Sequence, residues 1–209
     1  MLVELDAVAD AGPEPARLYR ALMRDMPAGA LEFVPAARTV LVHFDPALTS
    51  AGALADRIGE VVRGIEDEAA GAQGGVGEAD VVEIAVRYDG EDLESVAQQA
   101  GLSRDEVVAR HSATVYTVAF CGFAPGFGYL TGLDDALWLP RRATPRTRVP
   151  AGSVAIADRY AAVYPQASPG GWHLVGRTDA AVWDPGRQPP AMFAPGARVR
   201  FVPERESGR

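Results

Sequence analysis

The chain of 209 residues contains no lysine, so arginine supplies all twenty of its basic side chains. A Walker A phosphate-binding loop needs a lysine, and an enzyme that forms a Schiff base needs a lysine amine. Covalent attachment of biotin also takes place on a lysine. This chain can therefore perform none of these three functions by itself.

Cysteine occurs once, at Cys121, which excludes an internal disulfide and any zinc site built from several cysteines. The three histidines, His43, His111 and His173, are too widely spaced for a paired metal-binding motif, and no metal site is predicted. Cys121 could act as a thiolate activated by a histidine, but a lone cysteine that ends a β-rich run is more typical of a small buried residue. Ser153 lacks the G-x-S-x-G pattern of a serine hydrolase.

The sequence has no run of eighteen apolar residues and no signal-peptide pattern, so we expect a cytoplasmic protein that does not span a membrane. Its formal net charge of −8 argues against nonspecific binding to nucleic acid or to an anionic membrane, since both require a basic surface. The charge is unevenly placed. Acidic residues are concentrated between Glu60 and Glu106, whereas six arginines lie in the central stretch: Arg141, Arg142, Arg146, Arg148, Arg159 and Arg177.

The first part of the chain alternates between strand and helix patterns. The predicted elements are a strand at 2–5, a helix at 13–24, a hairpin at 31–34 and 39–44, a long helix capped by Thr49 or Ser50, and a strand at 81–86. This β-α-β-β-α-β order is that of a ferredoxin-like domain, which we predict for residues 1–90.

Residues 91–112 predict two short helices around Gly101-Leu102-Ser103 and resemble a DNA-binding helix-turn-helix in pattern. The second helix, however, carries two acidic residues, Asp105 and Glu106, and two basic residues, Arg104 and Arg110, so its charges cancel. Contact with phosphates requires a positive surface. We therefore predict a connecting helical hairpin and no binding to nucleic acid.

From Thr114 onward, short β-rich runs alternate with turns that contain glycine and proline, and no helix of normal length is indicated. Residues 113–209 are therefore predicted to form a closed or nearly closed β-barrel. The overall fold class is α+β.

The stretch from Cys121 to Thr178 combines rigid Gly/Pro loops with aromatic side chains and arginines. Such loops are typical of a surface that binds an anionic or planar group. The alternative is a barrel with tight corners and a few aromatic core residues. The arginines could hold a carboxylate or phosphate in a bidentate manner, or form ion pairs with the acidic first domain or with another protein chain.

Three motifs in this stretch, taken in order, resemble those of the family of 5-oxoprolinase B-type subunits (PxpB), also called KipI-type or allophanate hydrolase subunit 1. They are Gly122-Phe123-Ala124-Pro125-Gly126-Phe127-Gly128-Tyr129-Leu130, the segment Pro145-Arg146-Thr147-Arg148-Val149-Pro150-Ala151-Gly152-Ser153-Val154-Ala155-Ile156, and Tyr164-Pro165 with Ser168-Pro169-Gly170-Gly171-Trp172 and Gly176-Arg177-Thr178. The resemblance extends over nearly the whole chain.

The resemblance implies a ferredoxin-like N-terminal domain followed by a cyclophilin-like β-barrel. It also implies an ATP-dependent 5-oxoprolinase that opens 5-oxoproline to glutamate. In that enzyme this chain, inactive alone, would act with the C-type (KipA-type) and A-type subunits of 5-oxoprolinase. Two alternatives are an inhibitor of a sensor histidine kinase and a component of a urea or amide carboxylase-type system.

The motifs point to six residues that line a binding surface: Phe127, Arg146, Ser153, Trp172, Arg177 and Thr178. Three glycines, Gly126, Gly170 and Gly171, are expected to set the shape of the loops. The chain departs from the family pattern at Ala197, where aspartate is usual, and at Cys121, where an aliphatic residue is usual.

Overall fold

The structure, a computed structural model, describes residues 1–5, 15–71 and 81–204, and for residues 66–71 the backbone alone. The chain forms two compact units, Met1–Glu78 and Ala79–Arg209. None of the helices within these described ranges is both long enough and apolar enough to span a membrane.

The first unit contains a three-stranded antiparallel sheet and two helices. Its elements are β1 (Leu2–Glu4), α1 (Pro15–Arg24), β2 (Ala30–Pro35), β3 (Thr39–Phe44) and α2 (Ala51–Gly71), and the strands pair in the order β1-β3-β2. The predicted cap of α2 is confirmed, because the Ser50 hydroxyl accepts a hydrogen bond from the Ala53 amide at 3.2 Å. The core of this unit consists of Leu18, Leu22, Phe33, Val40, Val42, Leu54, Ile58 and Ile65.

The ferredoxin-like arrangement is not confirmed. The strand predicted at 81–86 is present as β4 (Val81–Val86), but it pairs in parallel with the last strand of the second unit. Alternation of apolar residues predicts that a strand forms, but it does not select the strand's partner. Ile84 and Val86 of β4 are buried in the core of the second unit. The first sheet therefore has three strands in the described residues, and the domain boundaries at 90 and 112 stay a prediction.

The second unit continues from β4 with a helical hairpin and a series of short strands. These elements are α3 (Leu93–Ala100), α4 (Arg104–Ala113), β5 (Val115–Cys121), β6 (Gly128–Thr131), β7 (Arg146–Val149), β8 (Ser153–Ala157), β9 (Tyr160–Val163), β10 (Ser168–Gly170), β11 (His173–Arg177) and β12 (Arg198–Pro203). A short 3-10 helix, Asp135–Leu137, lies between β6 and β7. Strands β6, β7 and β10 were not predicted. Glycine begins β6 and ends β10, which also contains proline, and β7 is a short segment between Pro145 and Pro150, so each carries a weak strand signal.

Seven strands of this unit form one sheet in the order β11-β8-β9-β6-β5-β12-β4. Its two ends approach each other, since the backbones of Arg87, which follows β4, and Arg177, which ends β11, exchange two hydrogen bonds of 2.9 Å. The prediction of a nearly closed barrel is thus confirmed, whereas the finer cyclophilin-like assignment stays a prediction. Strands β7 and β10 pair with each other in a separate two-stranded sheet.

The predicted helical hairpin is confirmed by its turn and cap. Gly101 ends α3 with φ 67°, a left-handed conformation that glycine adopts without strain. Ser103 then begins α4 with a capping box, in which the serine and Glu106 satisfy each other's backbone amides.

Asp92, the residue before α3, ties the hairpin to the barrel. One carboxylate oxygen accepts a 2.8 Å hydrogen bond from the Leu174 amide of β11. The other oxygen accepts hydrogen bonds from the guanidinium groups of Arg142 and Arg146. With its side chain only 4% exposed, Asp92 depends on these three donors to offset the loss of hydration.

We expect Asp92→Asn to lower the free energy of unfolding of the second unit by about 3 kcal/mol, because it leaves two partly buried guanidinium groups without their shared carboxylate. All three tryptophans, Trp138, Trp172 and Trp183, lie in this unit, so urea unfolding followed by tryptophan fluorescence measures the change. Glu91→Gln is the matched control: its carboxylate also contacts Arg146, at 3.2 Å, but is 73% exposed and should contribute less than about 1 kcal/mol. Equal losses in both variants would contradict the role of Asp92.

A fully buried histidine, His111, lies at the end of α4. Its Nδ1 is 2.8 Å from the Tyr88 hydroxyl, and its ring stacks on Phe201 with 4.8 Å between centroids. Burial lowers the pKa of His111 to about 3. Between pH 3 and its ordinary value near 6.5, the unfolded chain therefore binds a proton that the folded chain does not.

We expect this proton to lower the stability of the second unit by up to about 1.4 kcal/mol for each pH unit below about 6.5. The double variant Tyr88→Phe/His111→Phe removes both hydrogen-bonding partners together and the titrating group with them. Its unfolding free energy should depend less on pH between about 4 and 6.5 than that of the wild type. The same pH slope in both proteins, by urea unfolding at each pH, would contradict this assignment.

Candidate functional site

The first motif forms a rigid loop between β5 and β6. The Gly122 amide bonds the Phe127 carbonyl at 3.2 Å, the Phe127 amide bonds the Ala124 carbonyl at 3.0 Å, and Gly126 has φ 82°. The Ala124 amide also bonds the Gly122 carbonyl at 2.8 Å, so Phe123, with φ 67°, is the central residue of a strained γ-turn. The turn leaves the Phe123 side chain 60% exposed. The loop thus presents an aromatic side chain in a fixed position.

Phe127, at the end of this loop, is the centre of an aromatic cluster. Its ring meets Tyr129, Tyr164 and Trp172 edge to face, with centroids 5.0, 5.3 and 5.6 Å apart. Edge-to-face contacts are the favourable geometry for aromatic rings and fix their orientation. Phe127 and Trp172 are themselves buried, so they form a wall behind the surface of the unit.

The small sheet of β7 and β10 brings the second and third motifs together, since Arg146 lies opposite Gly170. Gly170 lies directly against the Tyr164 hydroxyl, and a Cβ atom at this position would overlap it. Gly171 lies beside Pro145 with less crowding. A glycine at 170 is therefore required for the two strands to lie against the aromatic cluster.

Arg146 contacts two carboxylate groups. Its Nη2 donates to Asp92 at 2.8 Å and to Glu91 at 3.2 Å. Burial by itself would raise the pKa of Asp92, but the hydrogen bonds from Arg146 and the Leu174 amide and the charge of Arg142 outweigh it and hold that pKa below its ordinary value. The Asp92 carboxylate is therefore ionised at neutral pH and fixes both guanidinium groups.

Three buried donors of this group have no hydrogen-bond partner in the described part of the protein: Nη1 of Arg146, Nε of Arg142 and the hydroxyl of Ser168. Nδ1 of His173, whose Nε2 donates to the Pro140 carbonyl at 2.8 Å, is also buried without a partner there. Unpaired buried donors cost free energy, so an acceptor brought by a ligand or by another protein chain would stabilise this region.

The remaining predicted residues, Ser153, Arg177 and Thr178, form a second group. Ser153 lies opposite Arg177 in the β8–β11 pair, and the Thr178 amide bonds the Gly152 carbonyl at 2.8 Å. The Ser153 hydroxyl donates to the Pro150 carbonyl at 2.8 Å, and the Thr178 hydroxyl accepts from the Ala180 amide at 3.1 Å. Both side chains are buried, whereas that of Arg177 is 59% exposed and pairs with Asp89 at 2.6 Å.

Tyr164 joins the two groups. Its backbone amide bonds the Ser153 carbonyl, its carbonyl accepts from the Gly152 amide, and its ring contacts Phe127. Burial raises the pKa of its hydroxyl, although the backbone of Trp172 hydrogen-bonds it. The structure thus brings Phe127 and Trp172 into contact and pairs Arg146 with Gly170, two residues before Trp172. Ser153 bonds the Tyr164 backbone, and Gly126 packs against Trp183.

Sequence reasoning missed Asp92 and Tyr164 as members of this group. Asp92 is 50 residues from Arg142, and no local pattern distinguishes it from the other acidic residues nearby. Tyr164 does lie inside the third motif, so its position in that motif was a usable signal.

Nucleophilic and metal chemistry have little support. Burial raises the pKa of the Cys121 thiol, and its Sγ is 3.7 Å from the Phe193 carbonyl, so a thiolate is disfavoured. Among the described residues, no three histidine, cysteine or acidic side chains are grouped as a metal site would require.

Comparison with known proteins identifies relatives of this chain. It is 49% identical over 132 residues to the 5-oxoprolinase B-type subunit of Escherichia coli O157:H7, a match that covers 62% of this chain and 61% of the relative. It is 45% identical over 125 residues to the protein of the same name from Bacillus subtilis, a match that covers 58% of this chain and 52% of the relative. The matched part thus spans between half and two thirds of the relatives' length.

Solved structures resemble the whole chain. A crystal structure of TTHA0988 matches with a TM-score of 0.78 and 39% identity, covering 100% of this chain and 41% of that one. The conserved uncharacterized protein PH0987 from Pyrococcus horikoshii matches with a TM-score of 0.59 and 35% identity, covering 98% and 94%. Kluyveromyces lactis urea carboxylase, with a TM-score of 0.63 and 21% identity over 98% of this chain and 21% of that one, shares the fold alone.

The family described as the carboxyltransferase domain, subdomain C and D, matches residues 2–193. The chain therefore belongs to this carboxyltransferase-domain family, and its membership of the family of 5-oxoprolinase B-type subunits, which its central motifs indicated, is confirmed.

Proposed function

We propose that this chain is one component of an ATP-dependent 5-oxoprolinase that opens 5-oxoproline to glutamate, and that it acts only with the A-type and C-type subunits. Three relatives that share 44–49% identity with it and are named as the B-type subunit of 5-oxoprolinase support the proposal. The complex would be cytoplasmic, where ATP is available.

One structural observation carries the proposal: the three motifs of the family resemblance converge in the second unit. Phe127 of the first motif contacts Trp172 of the third, and Arg146 of the second pairs with Gly170 of the third. Residues that are distant in the sequence thus form one wall of aromatic rings, and the strand that pairs with Gly170 carries Arg146, whose guanidinium group is fixed by Asp92.

The chemistry of 5-oxoproline suits this wall. The substrate carries a carboxylate and a lactam amide, and a guanidinium group binds a carboxylate through charge-assisted hydrogen bonds. Arg146 is held by Asp92 through Nη2, while its Nη1 has no acceptor among the described residues. We assign to Arg146 the substrate carboxylate, and to Phe127 and Trp172 the support of the surface against which the ring lies.

The other predicted residues have supporting roles in this proposal. Ser153 and Thr178 hold the backbone behind Tyr164, and Arg177 presents a charge at the end of β11. Gly126, Gly170 and Gly171 permit the close packing of the loops. ATP would drive the opening of the stable amide, and because this chain has no lysine, a phosphate-binding lysine would have to come from another component.

We expect glutamate to be released from 5-oxoproline only when this chain, the A-type and C-type subunits and ATP are all present. Each component is omitted in turn, and glutamate and ADP are both measured. The proposal would be falsified if the complete mixture of folded proteins gave no turnover. An unchanged rate without this chain would also contradict it.

We expect Arg146→Lys to raise the KM of the complete mixture for 5-oxoproline by about tenfold or more, because the single lysine nitrogen can keep the charge beside Asp92 but has no second nitrogen to bind the substrate carboxylate. Arg148→Lys is the matched control, since Arg148 lies on the same strand with an exposed side chain. Initial rates at varied 5-oxoproline concentration measure the effect, and thermal unfolding checks that both variants fold. The assignment of Arg146 fails if the two variants have the same KM.

A further inference from the structure

A shallow surface cavity of about 510 Å³, wide open to solvent, lies in the second unit, outside the group of residues discussed above. It is lined by two tripeptides, Trp138-Leu139-Pro140 and Asp158-Arg159-Tyr160. They lie side by side because Leu139 and Asp158 form an antiparallel bridge, in which the Asp158 amide donates to the Leu139 carbonyl at 2.7 Å. The volume is within the range of about 300–1,000 Å³ typical of small-molecule sites.

Both aromatic rings of the cavity are held in place. The Trp138 side chain is 52% exposed, and its indole nitrogen donates to the Leu133 carbonyl at 2.9 Å. The Tyr160 ring meets Phe120 and Tyr129 edge to face, with centroids 5.8 and 5.7 Å apart. Rings that are fixed in this way bind a planar ligand with little loss of conformational entropy.

Two guanidinium groups, those of Arg141 and Arg159, and one carboxylate, that of Asp158, lie at the cavity, so its net charge is positive and favours an anion. The Arg159 guanidinium carbon is 5.4 Å from the centre of the Tyr160 ring, and its Nε and Nη2 are 3.4 Å from the hydroxyl, which is long for a hydrogen bond. Arg141 is 3.9 Å from the Asp158 carboxylate. Both guanidinium groups thus lie beside the cavity and keep donors for a ligand.

The cavity is also connected to the candidate functional site through one residue. Tyr129 contacts Tyr160 at the cavity and, with centroids 5.0 and 5.6 Å apart, Phe127 and Trp172 at the site. A ligand stacked on Tyr160 would therefore be linked through Tyr129 to Phe127 and Trp172, the residues proposed to support 5-oxoproline.

We propose that this cavity binds a nucleoside phosphate. Its base stacks on Trp138 and Tyr160, and its phosphates contact Arg159 and Arg141. Aromatic stacking and guanidinium groups are the features that bind a planar, anionic ligand. The choice of a nucleotide among such ligands rests on the proposed ATP-dependent function.

The first test titrates the complete chain with ATP, with adenosine and with inorganic triphosphate, using calorimetry and tryptophan fluorescence. ATP should bind saturably and change the fluorescence of Trp138, and it should bind more tightly than either adenosine or triphosphate alone. The site is contradicted if ATP gives no saturable signal, or if triphosphate binds as tightly as ATP.

Variants of the chain then test the binding of the base and the binding of the phosphates separately. Trp138→Ala should weaken both ATP and adenosine by about tenfold, since it removes the stacking surface. Arg159→Gln should weaken ATP by about tenfold and leave adenosine unchanged. The matched controls are Trp183→Ala and Arg148→Gln, which lie outside the cavity, and neither should change the affinity. Controls that weaken ATP as much as the cavity variants would place the binding elsewhere.

The ATP-binding measurements and the 5-oxoprolinase assay test the two proposals independently. If the complete mixture releases glutamate but this chain binds no ATP, the cavity proposal fails and the proposed function stands. If this chain binds ATP at the cavity but the mixture shows no turnover, the cavity proposal stands and the proposed function fails.

Discussion

The carboxylate of Asp92 is the interaction on which the arrangement of the second unit depends. It accepts hydrogen bonds from an amide of β11 and from two arginines near and on β7, so it joins the helical hairpin, the barrel and the small two-stranded sheet. A buried carboxylate is unfavourable unless it is paired, and each of its partners is therefore constrained by the same requirement. The position of Arg146 follows from this constraint.

The aromatic cluster around Phe127 is rigid. The rings of Tyr129, Tyr164 and Trp172 each meet Phe127 edge to face, and Gly170 lets the β7–β10 sheet lie directly against them. A surface that is already ordered loses little entropy when it binds. This property suits the proposed function, in which this chain supplies a shaped wall and other subunits supply the reactive groups, because the wall keeps its geometry before a complex forms.

The fold was predictable where the pattern is local. Alternation and capping signals located β4, α2 and the hairpin of α3 and α4, and the glycine-rich motifs located the rigid loop that ends at Phe127. Pairing was not predictable, since β4 could have completed the first sheet but lies against β12. Strands β6, β7 and β10 were missed because the glycine and proline residues in them or beside them weaken the strand signal.

The sequence by itself determined the residue types available for chemistry: arginine as the only long cationic side chain, one cysteine, and aromatic residues spaced among glycines and prolines. It also determined the family, because long motifs in a fixed order are specific. Only the tertiary structure decided which residues act together, such as Asp92 with Arg146 and Trp138 with Tyr160. The members of these pairs are far apart in the chain, and what brings them to one place is strand pairing and burial over the whole unit, which no local pattern encodes.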